Sequence, residues 1–94
     1  MSLEVVAAII FFENKILVTQ RKFHKNTAFS YKYEFPGGKV ENNEDKITAL
    51  RRELMEELNL KITSFKHFAS YNYSYDINKI KLNFFLSNVT ELKI

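Results

Sequence analysis

One stretch of this 94-residue chain has the spacing of an amphipathic helix, and it limits the folds that the rest can adopt. Its apolar residues recur at intervals of three and four: Ile47, Leu50, Leu54 and Leu58. Asp45 is a suitable helix N-cap, and Asn59 is a residue type that adopts the left-handed conformation in which helices end. A chain of this length predicts a single domain, 1–94, so this helix has to pack on whatever the other segments form.

Most of the other segments have the pattern of β-strands. Val5–Phe12 is apolar on both faces and β-branched, which is typical of a buried strand. Glu13-Asn14 predicts a turn into a second strand over Lys15–Gln20. Arg21–Ser30 has no clear period and predicts a basic loop, after which Tyr31–Phe35 predicts a short aromatic strand.

Both glycines and the single proline fall in one predicted turn, Pro36-Gly37-Gly38, where backbone can approach a ligand closely. Near the end of the chain, Phe65–Tyr75, a turn at Asp76–Asn78 and a second alternating segment predict an antiparallel hairpin. The alternating apolar residues of that last strand are Ile80, Leu82, Phe84 and Leu86, with Phe85 on its other face. The sequence therefore predicts an α+β or α/β fold, a mixed β-sheet packed against one helix.

The composition excludes several classes of site. No cysteine is present, so disulfides and thiolate metal sites are excluded. The longest apolar run is too short to span a bilayer, and the N-terminus lacks the pattern of a signal peptide. We therefore predict a cytoplasmic protein without a membrane partner. The net charge of +3 favours anionic ligands, and it is equally consistent with a solvated lysine-rich surface.

Three carboxylates on the predicted helix are the first indication of a site. Glu53, Glu56 and Glu57 lie three and four residues apart, so they share one face, beside the apolar stripe. Their mutual repulsion destabilises an isolated helix by a few tenths of a kcal/mol per pair, and a divalent cation relieves it. Clustered oxygen ligands suit Mg²⁺ or Mn²⁺. Arg52 lies four residues before Glu56, where a charge-assisted hydrogen bond would orient that carboxylate. The alternative is an ordinary solvated acidic face with i,i+4 ion pairs.

The neighbouring residues favour the metal site over this alternative. A glycine turn precedes the helix, Glu44 adds a carboxylate, and the basic loop lies upstream. Phosphate chemistry uses backbone to hold oxygens, a metal to neutralise charge, and cations to position the substrate. The sequence therefore predicts a phosphate-handling site at the acidic face of the helix.

The segment from Gly38 to Leu60 resembles the Nudix box, and the resemblance extends over Val5–Val89. Eight positions match in register, and Asn59 replaces the family's glycine; the matching residues are Gly38, Glu44, Arg52, Glu53, Leu54, Glu56, Glu57 and Leu60. Glu34-Phe35-Pro36-Gly37-Gly38-Lys39 and Thr19-Gln20-Arg21 resemble the MutT-like branch, of the 8-oxo-dGTP diphosphatase type. The resemblance implies a Nudix-like sheet packed with the Nudix helix. It also implies that this chain lacks the family's C-terminal strand and helix, and with them an acidic and a base-reading residue.

The resemblance implies roles for individual residues. Glu53, Glu56 and Glu57 would bind the metal with a backbone carbonyl of Gly37 or Gly38, and Glu53 would also be the general base. Arg52 would orient a glutamate, and Glu44 would support the metal site. The substrate would contact Arg21, Glu34, Phe35, Pro36, Gly37 and Lys39. Three of these have alternatives: Arg21 as a surface cation, Phe35 as a core residue and Lys39 as a partner of Glu41. His24 and His67 are expected to be bystanders.

The function implied is a Mg²⁺-dependent pyrophosphohydrolase that cleaves a nucleoside triphosphate to a monophosphate and pyrophosphate. An oxidised purine such as 8-oxo-dGTP is the expected substrate, and nucleotide-pool sanitisation the role. The alternative is a non-catalytic nucleotide-binding module or an inactive short form. The expected partner is a nucleotide or another diphosphate-containing molecule, with no stable nucleic-acid complex. If the final strand lacks its covering helix, a homodimer or marginal stability is expected.

Overall fold

The structure is a computed structural model, and it describes residues 2–20, 33–75 and 78–89. Three predicted segments fall wholly or partly outside these ranges: the basic loop Arg21–Ser30, which contains Arg21 and His24, the first part of the Tyr31–Phe35 strand and most of the Asp76–Asn78 turn. In the described ranges, none of the helices is both long and apolar enough for a membrane span.

The described residues form seven strands and one helix. In chain order they are β1 (Ser2–Phe12), β2 (Lys15–Ile16), β3 (Thr19–Gln20), β4 (Tyr33–Glu34), β5 (Gly37–Lys39), α1 (Lys46–Leu58), β6 (Lys66–Tyr75) and β7 (Asn78–Asn88). Five strands make one sheet in the order β2-β1-β7-β6, with β5 also pairing with β1, while β3 and β4 pair separately. Because β1 and β7 are parallel and the other pairs antiparallel, the predicted mixed sheet packed with one helix is confirmed.

The turn after β1 is a tight hairpin turn, as predicted. Glu13 and Asn14 both have positive φ, 49° and 63°, the combination that matches the twist of a two-residue hairpin. The predicted second strand, Lys15–Gln20, is wrong as one continuous element. It is interrupted at Leu17 and Val18, so that β2 stays with β1 whereas β3 pairs with β4.

The prediction that Gly37 and Gly38 form a turn is also wrong, because both lie in β5. Gly38 is opposite Val6 and Gly37 is opposite Ala7. The pairing continues through Ala8 N–H, which donates to the Pro36 carbonyl at 2.9 Å. A Cβ on Gly37 would lie 2.7 Å from Ala7 Cα, so this close approach to β1 requires glycine.

Helix α1 begins and ends where the sequence predicted. The Asp45 side chain accepts a hydrogen bond from the Thr48 N–H at 2.8 Å, and Asn59 has φ 51° and ψ 37°, the left-handed conformation. Leu50 and Leu54 are fully buried against the sheet. The core contains residues of β1, α1, β7 and the segment between α1 and β6: Val6, Ala8, Ile10, Ala49, Leu50, Leu54, Leu60, Ile62 and Phe85.

Strand β7 has one face towards the helix and one away from it. Asn83, Phe85 and Ser87 are buried on the helix side, and their polar atoms are satisfied. The Asn83 amide donates to the Val5 carbonyl at 3.1 Å, and the Ser87 hydroxyl donates to the Ser64 carbonyl at 2.8 Å. The predicted apolar alternation lies on the opposite face, where its members are half-buried: Ile80, Leu82, Phe84 and Leu86. We call this opposite face the outer face of the sheet.

Candidate active site

The acidic face of α1 packs against β5. The Gly37 N–H donates to Glu57 Oε1 at 3.3 Å. A Cβ on Gly38 would overlap the Glu53 carboxylate, lying 2.8 Å from its Oε1 and closer to its other atoms. Two glutamates of the helix, Glu53 and Glu57, therefore lie directly against the glycine strand, and the Glu56 side chain is 58% exposed.

Negative charge is crowded around Glu57. Burial raises the pKa of the Glu57 carboxyl, and the neighbouring charges of Glu53, Glu34 and Glu56 raise it further, against the opposing effect of the Gly37 hydrogen bond. A cation placed among these carboxylates would remove this repulsion. The same helix face is therefore both a rim of the core and a region of unfavourable like charge.

Arg52 connects the carboxylates of this region. Its Nε and Nη2 donate to the two oxygens of Glu44, at 2.8 and 3.0 Å. Its Nη1 lies 3.3 Å from both Glu53 Oε2 and Glu56 Oε1, and Nη2 also donates to the Lys39 carbonyl at 3.0 Å. The Arg52 hydrogen bond is the main reason why the pKa of Glu44 lies below its usual value. The sequence predicted the Arg52–Glu56 contact but not that Glu44 holds the guanidinium with two hydrogen bonds.

A cavity of about 440 Å³ opens beside this acidic cluster. Of the predicted site residues, its walls include Glu34, Phe35, Gly37, Gly38 and Glu57. The remaining lining residues are mostly apolar and were not predicted as site residues: Val5, Val6, Ala7, Val18, Tyr33, Leu82 and Phe84. The cavity thus has one wall of carboxylate and glycine backbone, and the rest of its surface is mainly apolar.

Two of the predicted substrate contacts, Pro36 and Lys39, lie outside the cavity lining. Pro36 is fully buried, and its carbonyl is bonded to Ala8. Lys39 has an exposed side chain outside the cavity lining, and its suggested partner Glu41 lies 3.4 Å from Arg52 instead. Arg21 lies outside the described residues. His67, an expected bystander, is hydrogen-bonded to Ser70, packs edge-on against Phe85 on the helix side of the sheet and is not part of the cavity lining.

The donor set has the chemistry of a hard divalent cation site. Carboxylate and carbonyl oxygens are the ligands of Mg²⁺ and Mn²⁺, and the like charges around Glu57 call for a counter-ion. In residues 2–20, 33–75 and 78–89, no three acidic or histidine side chains converge on one point. Because Arg52 holds Glu53 and Glu56, these side chains would have to reorient to bind an ion.

Comparison with known proteins agrees with this arrangement. Residues 1–92 match the NUDIX domain. The chain is 46% identical over 82 residues to the 8-oxo-dGTP diphosphatase of Buchnera aphidicola subsp. Schizaphis graminum, which covers 87% of this chain and 60% of that protein. It is also 46% identical over 69 residues to the CTP pyrophosphohydrolase of Escherichia coli K12, which covers 73% of this chain and 50% of that protein.

Solved structures show the same relationship. The solution structure of the E. coli ORF135 protein superposes with a TM-score of 0.77 at 38% identity, covering 90% of this chain and 59% of that one. The chain thus spans 60% or less of the length of these three proteins. The match over nearly the whole chain confirms the resemblance that the Gly38–Leu60 segment predicted, and the chain belongs to the NUDIX domain family.

Proposed function

We propose that this chain is a pyrophosphohydrolase that cleaves a nucleoside triphosphate to a nucleoside monophosphate and pyrophosphate. The observation that carries the proposal is the cavity beside β5, in which Glu57 and the Gly37-Gly38 backbone form one wall and apolar side chains form much of the rest. With a divalent cation held at the carboxylate wall, such a cavity would suit a ligand that is anionic at one end and has a flat ring at the other. Two relatives have names that specify nucleotide substrates: 8-oxo-dGTP diphosphatase and CTP pyrophosphohydrolase.

The acidic end carries the proposed chemistry. Water attacks one phosphorus, the bond from that phosphorus to the departing diphosphate oxygen breaks, and Glu53 accepts the proton of the water. Glu53, Glu56 and Glu57, with a carbonyl of Gly37 or Gly38, are the residues that would hold Mg²⁺ or Mn²⁺. When bound, such an ion neutralises phosphate charge and lowers the pKa of water.

Arg52 and Glu44 support this end of the site. Since Glu44 binds the guanidinium through both oxygens, Arg52 is fixed where it can restrain the Glu53 and Glu56 side chains. Glu34 lies on the cavity wall next to Phe35, where its carboxylate would face the substrate's polar groups. We infer that Arg52 and Glu44 position the carboxylates and do not touch the substrate.

The decisive experiment is a nucleotide panel with the purified chain. Release of pyrophosphate from 8-oxo-dGTP, dGTP, dATP and CTP is measured with Mg²⁺, with Mn²⁺ and with a chelator. We expect turnover with metal only, and we expect Glu53→Gln and Glu57→Gln to reduce it by orders of magnitude while both variants remain folded. Glu13→Gln, an exposed change in the hairpin turn, is the matched control. Near-normal turnover in either site variant would contradict the proposal.

A non-catalytic nucleotide-binding module is the second candidate. It is supported by the engagement of Glu53 and Glu56 by Arg52 and by the lack of three converging acidic side chains in the described part of the chain. Titration calorimetry with the same nucleotides separates the two candidates. Binding without pyrophosphate release would favour the module, whereas release that depends on Glu57 would favour the enzyme.

We further propose that the chain acts in the cytoplasm on the nucleotide pool, where removal of oxidised purine triphosphates protects DNA. Its partner is then a free nucleotide, and no stable complex with nucleic acid is expected. Self-association into a homodimer through the outer face of the sheet is a separate proposal. It rests on the half-buried and exposed apolar side chains there, such as Phe84 and Tyr71.

A further inference from the structure

Three aromatic rings from separate parts of the chain meet on the outer face of the sheet. Phe84 of β7 is in the middle, with the Phe35 ring centroid 6.1 Å away and the Tyr71 ring centroid 6.0 Å away. Both outer rings are steeply inclined to Phe84, at 85° and 73°. Tyr71 is opposite Leu82 in the β6–β7 ladder, so its side chain lies on the outer face of the sheet, as does that of Leu82. We call Phe35, Phe84 and Tyr71 the aromatic track.

The track begins inside the cavity and ends outside it. Phe35 and Phe84 line the cavity, whereas Tyr71 lies beyond its lining, next to Phe84. Tyr71 is 56% exposed and Phe35 37%, so two rings of the track keep open surface, one within the cavity wall and one outside it. Exposed aromatic surface that continues a cavity wall is typical of a ligand contact.

The position of the acidic wall determines which part of a nucleotide can reach the track. The phosphates have to lie near Glu57 and the Gly37-Gly38 backbone, so the base points along the apolar side of the cavity. A one-ring base placed against the apolar wall would contact Phe35 and Phe84. A two-ring base that extends past Phe84 would reach Tyr71, whose ring centroid is 6.0 Å from that of Phe84.

On the basis of the proposed function, we propose that Tyr71 is a specificity-determining residue that favours purine over pyrimidine nucleotides. Relatives of this chain include an enzyme named for a purine nucleotide and one named for CTP, so membership of the family does not decide between them. The chemical reason is the additional apolar area that a second ring buries against Tyr71. A stacked base gains affinity from such a contact whatever its hydrogen-bonding groups.

The test compares purine and pyrimidine substrates in matched variants. Tyr71→Ala is expected to lower kcat/KM for dGTP roughly fivefold or more, the lower end of the contribution of one base–aromatic stack, and to leave the value for dCTP within about twofold. Tyr71→Phe keeps the ring and should retain the preference. Phe68→Ala removes an aromatic side chain of the same strand that is 57% exposed and lies outside the cavity lining, so it should change neither value.

Calorimetric binding of dGMP and dCMP provides a readout that does not need turnover. If Tyr71→Ala weakens the binding of dGMP but not that of dCMP, and the wild-type chain hydrolyses none of the nucleotides, the proposed function fails and the assignment of Tyr71 stands. An equal loss for both nucleotides, no loss for either, or a wild-type chain that binds neither would overturn the assignment. Melting temperatures of all variants identify any loss that is due to unfolding.

Discussion

The two glycines of β5 should respond in opposite ways to the same added methyl group. An alanine Cβ at Gly38 would overlap the carboxylate of Glu53, which is the far end of a flexible side chain. An alanine Cβ at Gly37 would meet the backbone of β1, 2.7 Å from Ala7 Cα and 2.9 Å from the Val6 carbonyl carbon, at a φ of +156°. The first clash is relieved by a side-chain rotation, whereas the second requires the strands to separate.

The sizes of the effects follow from these contacts. Non-bonded atoms pack at about 3.5 Å, so Gly38→Ala has to move the nearest Glu53 oxygen by roughly 1 Å. A displacement of that size at a reacting group costs on the order of 100-fold in rate. The free energy of unfolding should change by less than about 1 kcal/mol because the carboxylate can turn aside. Gly37→Ala should instead lower the free energy of unfolding by about 3 kcal/mol or more, through strain and overlap together.

The assay pairs pyrophosphate release with denaturant unfolding of the same preparations. We expect Gly38→Ala to be folded and nearly inactive, and Gly37→Ala to be strongly destabilised. Full activity of Gly38→Ala would refute the inference that catalysis depends on where Gly38 lets Glu53 lie. Unfolding of Gly38→Ala would show that the Glu53 side chain is held too firmly to give way.

Three further predictions concern the ion, the helix cap and self-association. Millimolar Mg²⁺ or Mn²⁺ should raise the melting temperature because it relieves the repulsion around Glu57, and the increase should be smaller in Glu57→Gln. The hydrogen bond from the Thr48 N–H lowers the pKa of Asp45 in the folded state. The stability that the ionised Asp45 side chain contributes is therefore fully present above the unfolded pKa of about 3.9, and it is lost as pH falls through the lower folded pKa. Asp45→Asn keeps the cap without this titration, so its stability relative to the wild type should increase in denaturant melts between pH 5 and pH 3. A homodimer through the outer face would cover Leu82 and Phe84 of the cavity, so sedimentation should show that a saturating nucleotide dissociates it; a monomer at every concentration would contradict this.

Local signals explain what could be predicted from the sequence. The helix bounds depend on the Asp45 cap and on the left-handed Asn59, and both act on backbone groups within four residues. The shared face of Glu53, Glu56 and Glu57 follows from helix geometry alone. These features depend only on residues that are close in sequence, so the acidic face and its place at the edge of the core could be predicted from the sequence.

Long-range pairing explains what could not be predicted. Glycine is a poor strand former, and Gly37 joins β5 only because Ala7, thirty residues earlier, provides a backbone edge at close range. Val18 and Phe84 line the cavity because distant segments meet there, and nothing in their own surroundings in sequence marks them as site residues. The apolar alternation of the last strand indicated a buried side but not which side α1 covers.

Asn83 is the clearest case of a residue whose importance becomes visible only in three dimensions. It is fully buried in β7, and its hydrogen bonds admit one orientation. The Val5 carbonyl only accepts, so the amide Nδ2 faces it at 3.1 Å, and Oδ1 must receive the Ser70 hydroxyl at 2.8 Å. Ser70 has then used its proton, so His67 Nε2, 2.8 Å away, has to donate to it.

These hydrogen-bond directions predict losses of stability of different size for two substitutions of similar volume. Asn83→Asp would place a carboxylate oxygen against the Val5 carbonyl and near Glu4, and should lower the free energy of unfolding at pH 7 by about 3 kcal/mol or more. Asn83→Leu introduces no charge and leaves the exposed Ser70 free to bond with water, so it should cost less than about 2 kcal/mol. The introduced carboxyl would be protonated more readily in the folded state, so the deficit of Asn83→Asp should shrink from pH 7 to pH 5. Denaturant unfolding of both variants at the two pH values measures this, and an Asp variant as stable as the Leu variant at pH 7 would refute the assigned direction of the hydrogen bonds.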